Sequence, residues 1–252
     1  MPEPAAVLPA WHVAVDGCTN FRDAGGWPIA NGRRMRTRRL YRADDPVRLT
    51  PAGRATVEQL GLGFVVDIRQ QSQFERGPGF LAPERTAHIP LVDRVIDPAN
   101  PPTLETAADI ADLYAGMLDR SRQPFARAVD TVAAHLGEGP VLVHCVYGKD
   151  RAGLVSALVQ AAIGVSAEAI IEDYTRSHEP SLRRRAWMLA EPLEGDLNSS
   201  RVSEFLFTAP AGAMRLVLDR ALAEHRTLPD WVASFPIRSD TIARLCDALL
   251  ER

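Results

Sequence analysis

Cys145 and Arg151 stand six residues apart in the segment His144-Cys145-Val146-Tyr147-Gly148-Lys149-Asp150-Arg151. That spacing says little alone, but its surroundings say more. The apolar run Val141-Leu142-Val143 precedes it and predicts a buried strand. Residues 145–151 then form a tight loop, and Leu154 to Ile163 predicts a largely buried helix stopped by Gly164. Strand, loop and helix in this order aim backbone N–H groups and the positive end of a helix at an anion. The amides of Val146, Tyr147, Gly148 and Lys149 would form a nest around phosphoryl oxygens. Arg151 would add a planar, two-pronged donor. The same positive surroundings favour the Cys145 thiolate over the thiol. A thiolate can attack phosphorus in line to give a phosphocysteine, which water then hydrolyses. The loop donors would stabilise the equatorial oxygens in both steps. The competing reading makes Cys145 a small buried residue ending a strand, and the rest of the loop weighs against it.

The loop also excludes a chemistry. A nucleotide-binding phosphate loop places Ser or Thr after Gly-Lys, whereas this chain has Asp150. Of the 29 basic residues, 28 are arginine, and the one lysine is Lys149, inside the loop. That placement favours a chemical role over a general need for positive charge.

Other elements must position this loop. Asn31-Gly32 predicts a hairpin over residues 26–43. Thr50-Pro51 and Gly61 bracket a helix near 51–60. Phe64-Val65-Val66-Asp67-Ile68 reads as a buried strand. The proline-rich residues 77–103 read as a long loop. Apolar spacing predicts helices over 104–118 and 125–136, and then near 166–177, 181–190, 200–207, 210–223 and 239–251. The expected fold is α/β: a central, mostly parallel sheet flanked by helices, with additional C-terminal helices. One domain over 1–252 is expected, its helical part covering about 165–252.

Composition narrows the function. Apolar residues make up 46% of the 252 and charged residues 24%, an ordinary globular balance. A formal charge of -3 gives no bulk basic field for nucleic acid. No apolar run reaches the length of a membrane span. Met1-Pro2-Glu3-Pro4 lacks the basic and apolar regions of a signal peptide. Cys18, Cys145 and Cys246 are too few and scattered for a disulfide framework or a zinc site, so a reducing, cytoplasmic setting is expected. The histidines show no metal-ligand spacing. Neither a metal nor another cofactor is expected.

With the loop motif in hand, the chain resembles the bacterial tyrosine phosphatases that carry His-Cys-x-x-Gly-Lys-Asp-Arg. Asn20-Phe21-Arg22-Asp23-Ala24-Gly25-Gly26 is similar to the N-terminal signature of that family, and Leu40-Tyr41-Arg42-Ala43 to its next strand. Asp67-Ile68-Arg69 with Glu75 resembles its Asp-Leu-Arg segment. Asp173-Tyr174 with Ser177 resembles its Asp-Tyr-x-x-Ser segment. The resemblance implies a phosphatase fold and hydrolysis of phosphotyrosine, other phosphoprotein or phosphoinositide substrates. It implies Cys145 as nucleophile, Arg151 as phosphate ligand and Asp150 as proton donor to the leaving oxygen, with Asp93 and Asp97 as alternative donors. Lysine in such a loop resembles tensin-type lipid phosphatases, and aspartate before the arginine resembles myotubularins. On that reading Lys149 is a second cation at the pocket mouth; on the other it only favours the thiolate. One departure stands out: Ala152 occupies a position where the family has a hydroxyl that assists the second step. A phosphate-trapping module without turnover is the alternative that Ala152 favours. Sulfur transfer or arsenate reduction is a third, which Lys149-Asp150 argues against.

The remaining candidates have plainer readings. Arg33, Arg34, Arg36, Arg38 and Arg39 form a basic strand in the hairpin, read as a solvated face. Arg183-Arg184-Arg185 is read the same way. His144 is expected to orient the loop through a backbone carbonyl, and Asp67 with Arg69 to brace it as an ion pair. Tyr147 either stacks on an aryl phosphate or packs beside the loop. Cys18 is read as an isolated small residue.

Overall fold

The computed structural model describes residues 9–29, 32–77, 79–91, 103–192 and 203–251. Its first half runs β1 (Arg22–Asp23), β2 (Leu40–Ala43), α1 (Pro51–Gln59), β3 (Phe64–Asp67), α2 (Gln71–Phe74) and β4 (Thr86–His88). Then come α3 (Ala107–Arg120), α4 (Arg122–His135), β5 (Val141–His144), α5 (Arg151–Ala162), α6 (Ala167–Thr175) and α7 (His178–Ala190). The chain closes with α8 (Ala211–Glu224), α9 (Leu228–Ala233) and α10 (Thr241–Leu249).

The strands form one sheet in the order β1-β2-β5-β3-β4. β1 lies antiparallel to β2, and every other pair is parallel. Side chains alternate with the period of two that a strand imposes. Leu40, Phe64, Val66, Val141 and Val143 face the larger core, which residues of α3–α6 and α8–α10 complete. Tyr41, Ala43, Val65 and Leu142 face a smaller core closed by Val57 of α1, Val15, Phe21 and Phe80. Burial on both faces explains why β3 and β5 read as continuous apolar runs. All twelve residues of α5 are buried.

Local chemistry sets the boundaries. The Thr50 side chain accepts from the Gly53 amide with Pro51 at the first helical position, and the Ser166 side chain caps α6 through the Ala169 amide. Gly164, at φ +85°, turns the chain between α5 and α6.

Several expectations need correction. The hairpin is short: Pro28 bridges Arg34, and Ala30-Asn31 lies outside the described residues. No basic strand follows it, because Arg38 takes a left-handed φ of +58° that breaks extended backbone. Arg33 and Arg34 are exposed, yet the hairpin's arginines also bond carbonyls, Arg33 to Glu251, Arg34 to Gly26, Arg36 to Ala248 and Arg39 to Leu136, so they fasten the hairpin to the ends of α10 and α4. The proline-rich stretch contains β4, an edge strand too short to announce itself. The helix near 200–207 is a 3-10 turn over Glu204–Phe207, and α9 went unpredicted. α5 begins at Arg151, inside the motif.

Leu142 lies in the central strand and is wholly buried. Leu142→Ala should cost about 2–5 kcal/mol, seen as a lower urea midpoint at unchanged slope.

Candidate active site

The carboxyl ends of β2, β5 and β3 lie level, with Ala43 opposite His144 and His144 opposite Asp67. The loop leaves β5 there and turns at Gly148, φ +64°. A Cβ on Gly148 would stand 2.5–2.7 Å from the backbone of Ala43 and Asp44, so only glycine fits.

The carbonyls of residues 146–150 are all engaged. Val146 O accepts from the Asp45 amide at 3.3 Å, and Tyr147 O from Asn20 Nδ2 at 2.8 Å. Gly148 O accepts from Arg42 Nη2 at 2.6 Å and Nε at 3.2 Å, Lys149 O from Arg42 Nη2 at 3.1 Å, and Asp150 O from the Leu154 amide at 2.9 Å. The amides of Val146, Gly148, Lys149 and Asp150 donate to no acceptor among the described residues. Carbonyls turned to the protein and amides left free make a concave set of donors suited to an oxyanion.

Arg42 is itself held. It is wholly buried and donates to Asp173 Oδ2 at 2.6 Å. Its cross-strand partner Arg22 donates to Asp173 Oδ1 at 3.2 Å, to Asp173 O and Ser177 Oγ at 2.9 Å, and to Asn20 Oδ1. Two like charges directly opposite repel, and the Asp173 carboxylate between them offsets this. Burial disfavours the Asp173 anion, but Arg22 and Arg42 outweigh it and hold its carboxyl below the usual range. A Cβ on Gly153 would meet Arg42 Nη2 at 2.8 Å, so the small residue in α5 makes room for the guanidinium.

Cys145 directly follows β5 and is 1% exposed, so it is buried rather than out in solvent. Arg151 donates to Ile68 O and to Gln73 Oε1, both at 3.3 Å, which keeps the guanidinium beside the end of β3. Asp67 accepts from Arg69 Nη2 at 2.6 Å, as the sequence suggested. His144 does not bond a carbonyl as expected: its Nε2 lies 3.4 Å from Asp67 Oδ2, and its ring meets Phe80 edge-on. Burial opposes ionisation of Asp67, yet His144 and Arg69 outweigh it and hold the carboxyl well below its ordinary value.

Asp150 accepts from Tyr114 Oη at 2.6 Å and lies 3.1 Å from Lys149 Nζ. Of the two readings of Lys149, its burial disfavours the one at the pocket mouth. It is 1% exposed, and its ammonium donates to Leu206 O and to Thr208 O, the latter at 2.9 Å. Tyr147 packs beside the loop, its ring 5.3 Å from Phe207 and its hydroxyl 3.0 Å from Met188 Sδ. Asp93 and Asp97 lie outside the described residues. Cys18 and Cys145 are both free thiols. Arg184 is no solvated arginine: it is buried against Asp44 and Asp45.

Residue-level reading missed the loop-bracing work of Asn20, Arg22, Arg42 and Asp173, and missed Tyr114 and Gln73 altogether. A signal existed for Arg42, a charge inside the otherwise apolar strand Leu40-Tyr41-Arg42-Ala43.

A mostly parallel sheet that ends in an amide-lined loop at a helix N-terminus defines a phosphatase-like α/β architecture. The tyrosine phosphatase family profile matches residues 13–251, and the chain belongs to that family. It is 35% identical to the triple specificity protein phosphatase PtpB of Mycobacterium tuberculosis over 201 residues, covering 67% of this chain and 71% of that one. It is 32% identical over 194 residues to a chain assigned as a tyrosine-protein phosphatase in Cupriavidus necator, covering 71% and 67% respectively. The solved structure of P. aeruginosa TpbA with phosphotyrosine aligns at 22% identity and a TM-score of 0.37, covering 68% of this chain and 80% of TpbA. The protein is a tyrosine phosphatase-like hydrolase.

Asp67 and Asp173 both have depressed folded values. The unfolded chain therefore binds more protons between those values and the ordinary aspartate value of about 3.9. Their contribution to stability should be complete above about pH 4 and lost as pH falls toward the depressed values. Urea unfolding between pH 6 and pH 3 tests this, and Asp67→Asn should flatten the acid slope.

Proposed function

We propose that this chain hydrolyses phosphomonoesters on phosphoproteins through a phosphocysteine formed on Cys145. The carrying observation is the loop with its carbonyls bound outward and the amides of Val146, Gly148, Lys149 and Asp150 unspent among the described residues. Val146, Gly148 and Lys149 offer main-chain donors, and Arg151 offers N–H groups beside them. Cys145 Sγ attacks phosphorus as the P–O bond breaks, and Asp150 protonates the departing oxygen. Water then attacks phosphorus, and the thiolate leaves.

Phosphotyrosine and related phosphorylated residues are the favoured substrates. A phosphoinositide reading needs Lys149 at the pocket mouth, and its ammonium is spent on Leu206 and Thr208. The free cysteines suit a reducing cytoplasm. No helix among the described residues is long and apolar enough to cross a membrane.

Wild-type protein should hydrolyse an aryl phosphate, with inhibition by vanadate, and Cys145→Ser should abolish turnover. Full activity in Cys145→Ser would overturn the mechanism. Vanadate binding without wild-type turnover would establish the phosphate-trapping alternative.

Ala152 is the second residue of α5, wholly buried and without a hydroxyl to assist the departing sulfur. Rapid mixing should show a burst of product and then slow turnover, and Ala152→Ser should shrink the burst by speeding the second step. Linear kinetics from the first turnover would refute this.

A further inference from the structure

Three elements meet behind Asp150. Tyr114 comes from α3, Tyr174 from α6, and Lys149 from the loop itself. Tyr114 Oη donates to Asp150 Oδ1 at 2.6 Å, and the two tyrosine oxygens lie 2.9 Å apart. Since the Tyr114 proton is given to Asp150, Tyr174 is the donor in the second bond. Both phenols are buried. Burial and the nearby Asp150 charge push both well above the usual tyrosine value, so both keep their protons as donors. A relay of two hydroxyls polarises the last bond of the chain. The Lys149 ammonium, 3.1 Å away, also reaches Oδ1. Asp150 has no side-chain role in capping α5, although it occupies the cap position. Its carboxylate is thus pinned through one oxygen, with a side chain 15% exposed.

We infer that Tyr114, backed by Tyr174, is a positioning residue that fixes Oδ1 of Asp150 and so makes Oδ2 the oxygen that delivers the proton. This rests on the acid role proposed for Asp150. In the first step the S–P bond forms and the P–O bond breaks. The Oδ2 proton passes to the leaving oxygen, and Asp150 is left as a carboxylate. Among the described residues, Lys149 is the cation that pairs with it. The tyrosines add no charge, only direction. A general acid supplies little when the leaving group is already stable as an anion, and much when it is not. Fixing the acid should therefore matter in proportion to leaving-group basicity.

The test compares nitrophenyl phosphate, whose leaving group is a weak base, with phenyl phosphate, whose leaving group is a stronger one. Because turnover is limited by the second step, the readout is the burst-phase rate of phosphoenzyme formation. Tyr114→Phe should lose about tenfold in that rate on phenyl phosphate, part of the ~10²-fold or more that an acid can supply. On nitrophenyl phosphate the burst rate should stay within about twofold, with vanadate affinity unchanged, since phosphate contacts are untouched. Tyr174→Phe, which keeps the Tyr114 bond, should shift the burst rate in the same direction by less. Asp150→Asn should show the larger leaving-group effect, and adding Tyr114→Phe to it should change nothing more. Equal losses on both substrates, or additive losses in the double variant, would overturn the inference while leaving Asp150 as the acid. Absence of any leaving-group effect in Asp150→Asn would overturn the acid role and this inference with it. Matching thermal melts of Tyr174→Phe and the wild type keep the comparison clear of unfolding.

Discussion

The site depends on one carboxylate between two arginines. β1 and β2 bring Arg22 and Arg42 into register, and Asp173 from α6 neutralises the pair and fixes both guanidinium planes. Once its plane is fixed, Arg42 can reach only two carbonyls, those of Gly148 and Lys149. Those bonds decide which way the peptide planes of the loop face. Buried ion networks are weak contributors to net stability because desolvation offsets attraction. Their use here is geometric. An apolar replacement could pack as well, but it would leave two carbonyls free to turn inward, toward the incoming oxyanion they would repel.

The same logic explains why residues far apart in sequence serve one short loop. The loop has few side chains of its own with which to hold its shape. Asn20, Arg42 and the Asp45 amide supply that hold from the β1 and β2 region, and Gly148 and Gly153 let them come close. α5 contributes the aligned dipole and the buried anchor. The opposite edge contributes Ile68 and Gln73 to Arg151.

Much of this was legible before any coordinates. Periodicity located β3, β5 and most helices, because burial on one or both faces writes itself into spacing. The Cys145–Arg151 motif was readable because strand, glycine and helix signals flank it. Boundaries set by long-range bonds were less visible. β4 has three residues, all only partly buried, and depends on pairing with β3. The arginine-rich hairpin read as solvated, and Arg33, Arg34 and Arg38 are exposed, but charge alone does not show that carbonyls also await its guanidinium groups. Loop position left two readings of Lys149 open, a cation at the mouth or a partner of the thiolate. Its true direction follows from the carbonyls of residues 206 and 208, more than fifty residues downstream. Arg22, Arg42 and Asp173 appeared only as parts of a family signature. Their joint role needs three segments to be side by side.

The Lys149 attachment also bears on how such a chain can change over generations. A buried ammonium must be solvated by something, and here the carbonyls of Leu206 in the 3-10 turn and Thr208 just past it do it. Losing the 204–208 segment would strand that charge in the interior, so the lysine and its carbonyl partners can only be inherited or discarded together. The downstream third is therefore no ornament on a self-sufficient catalytic half.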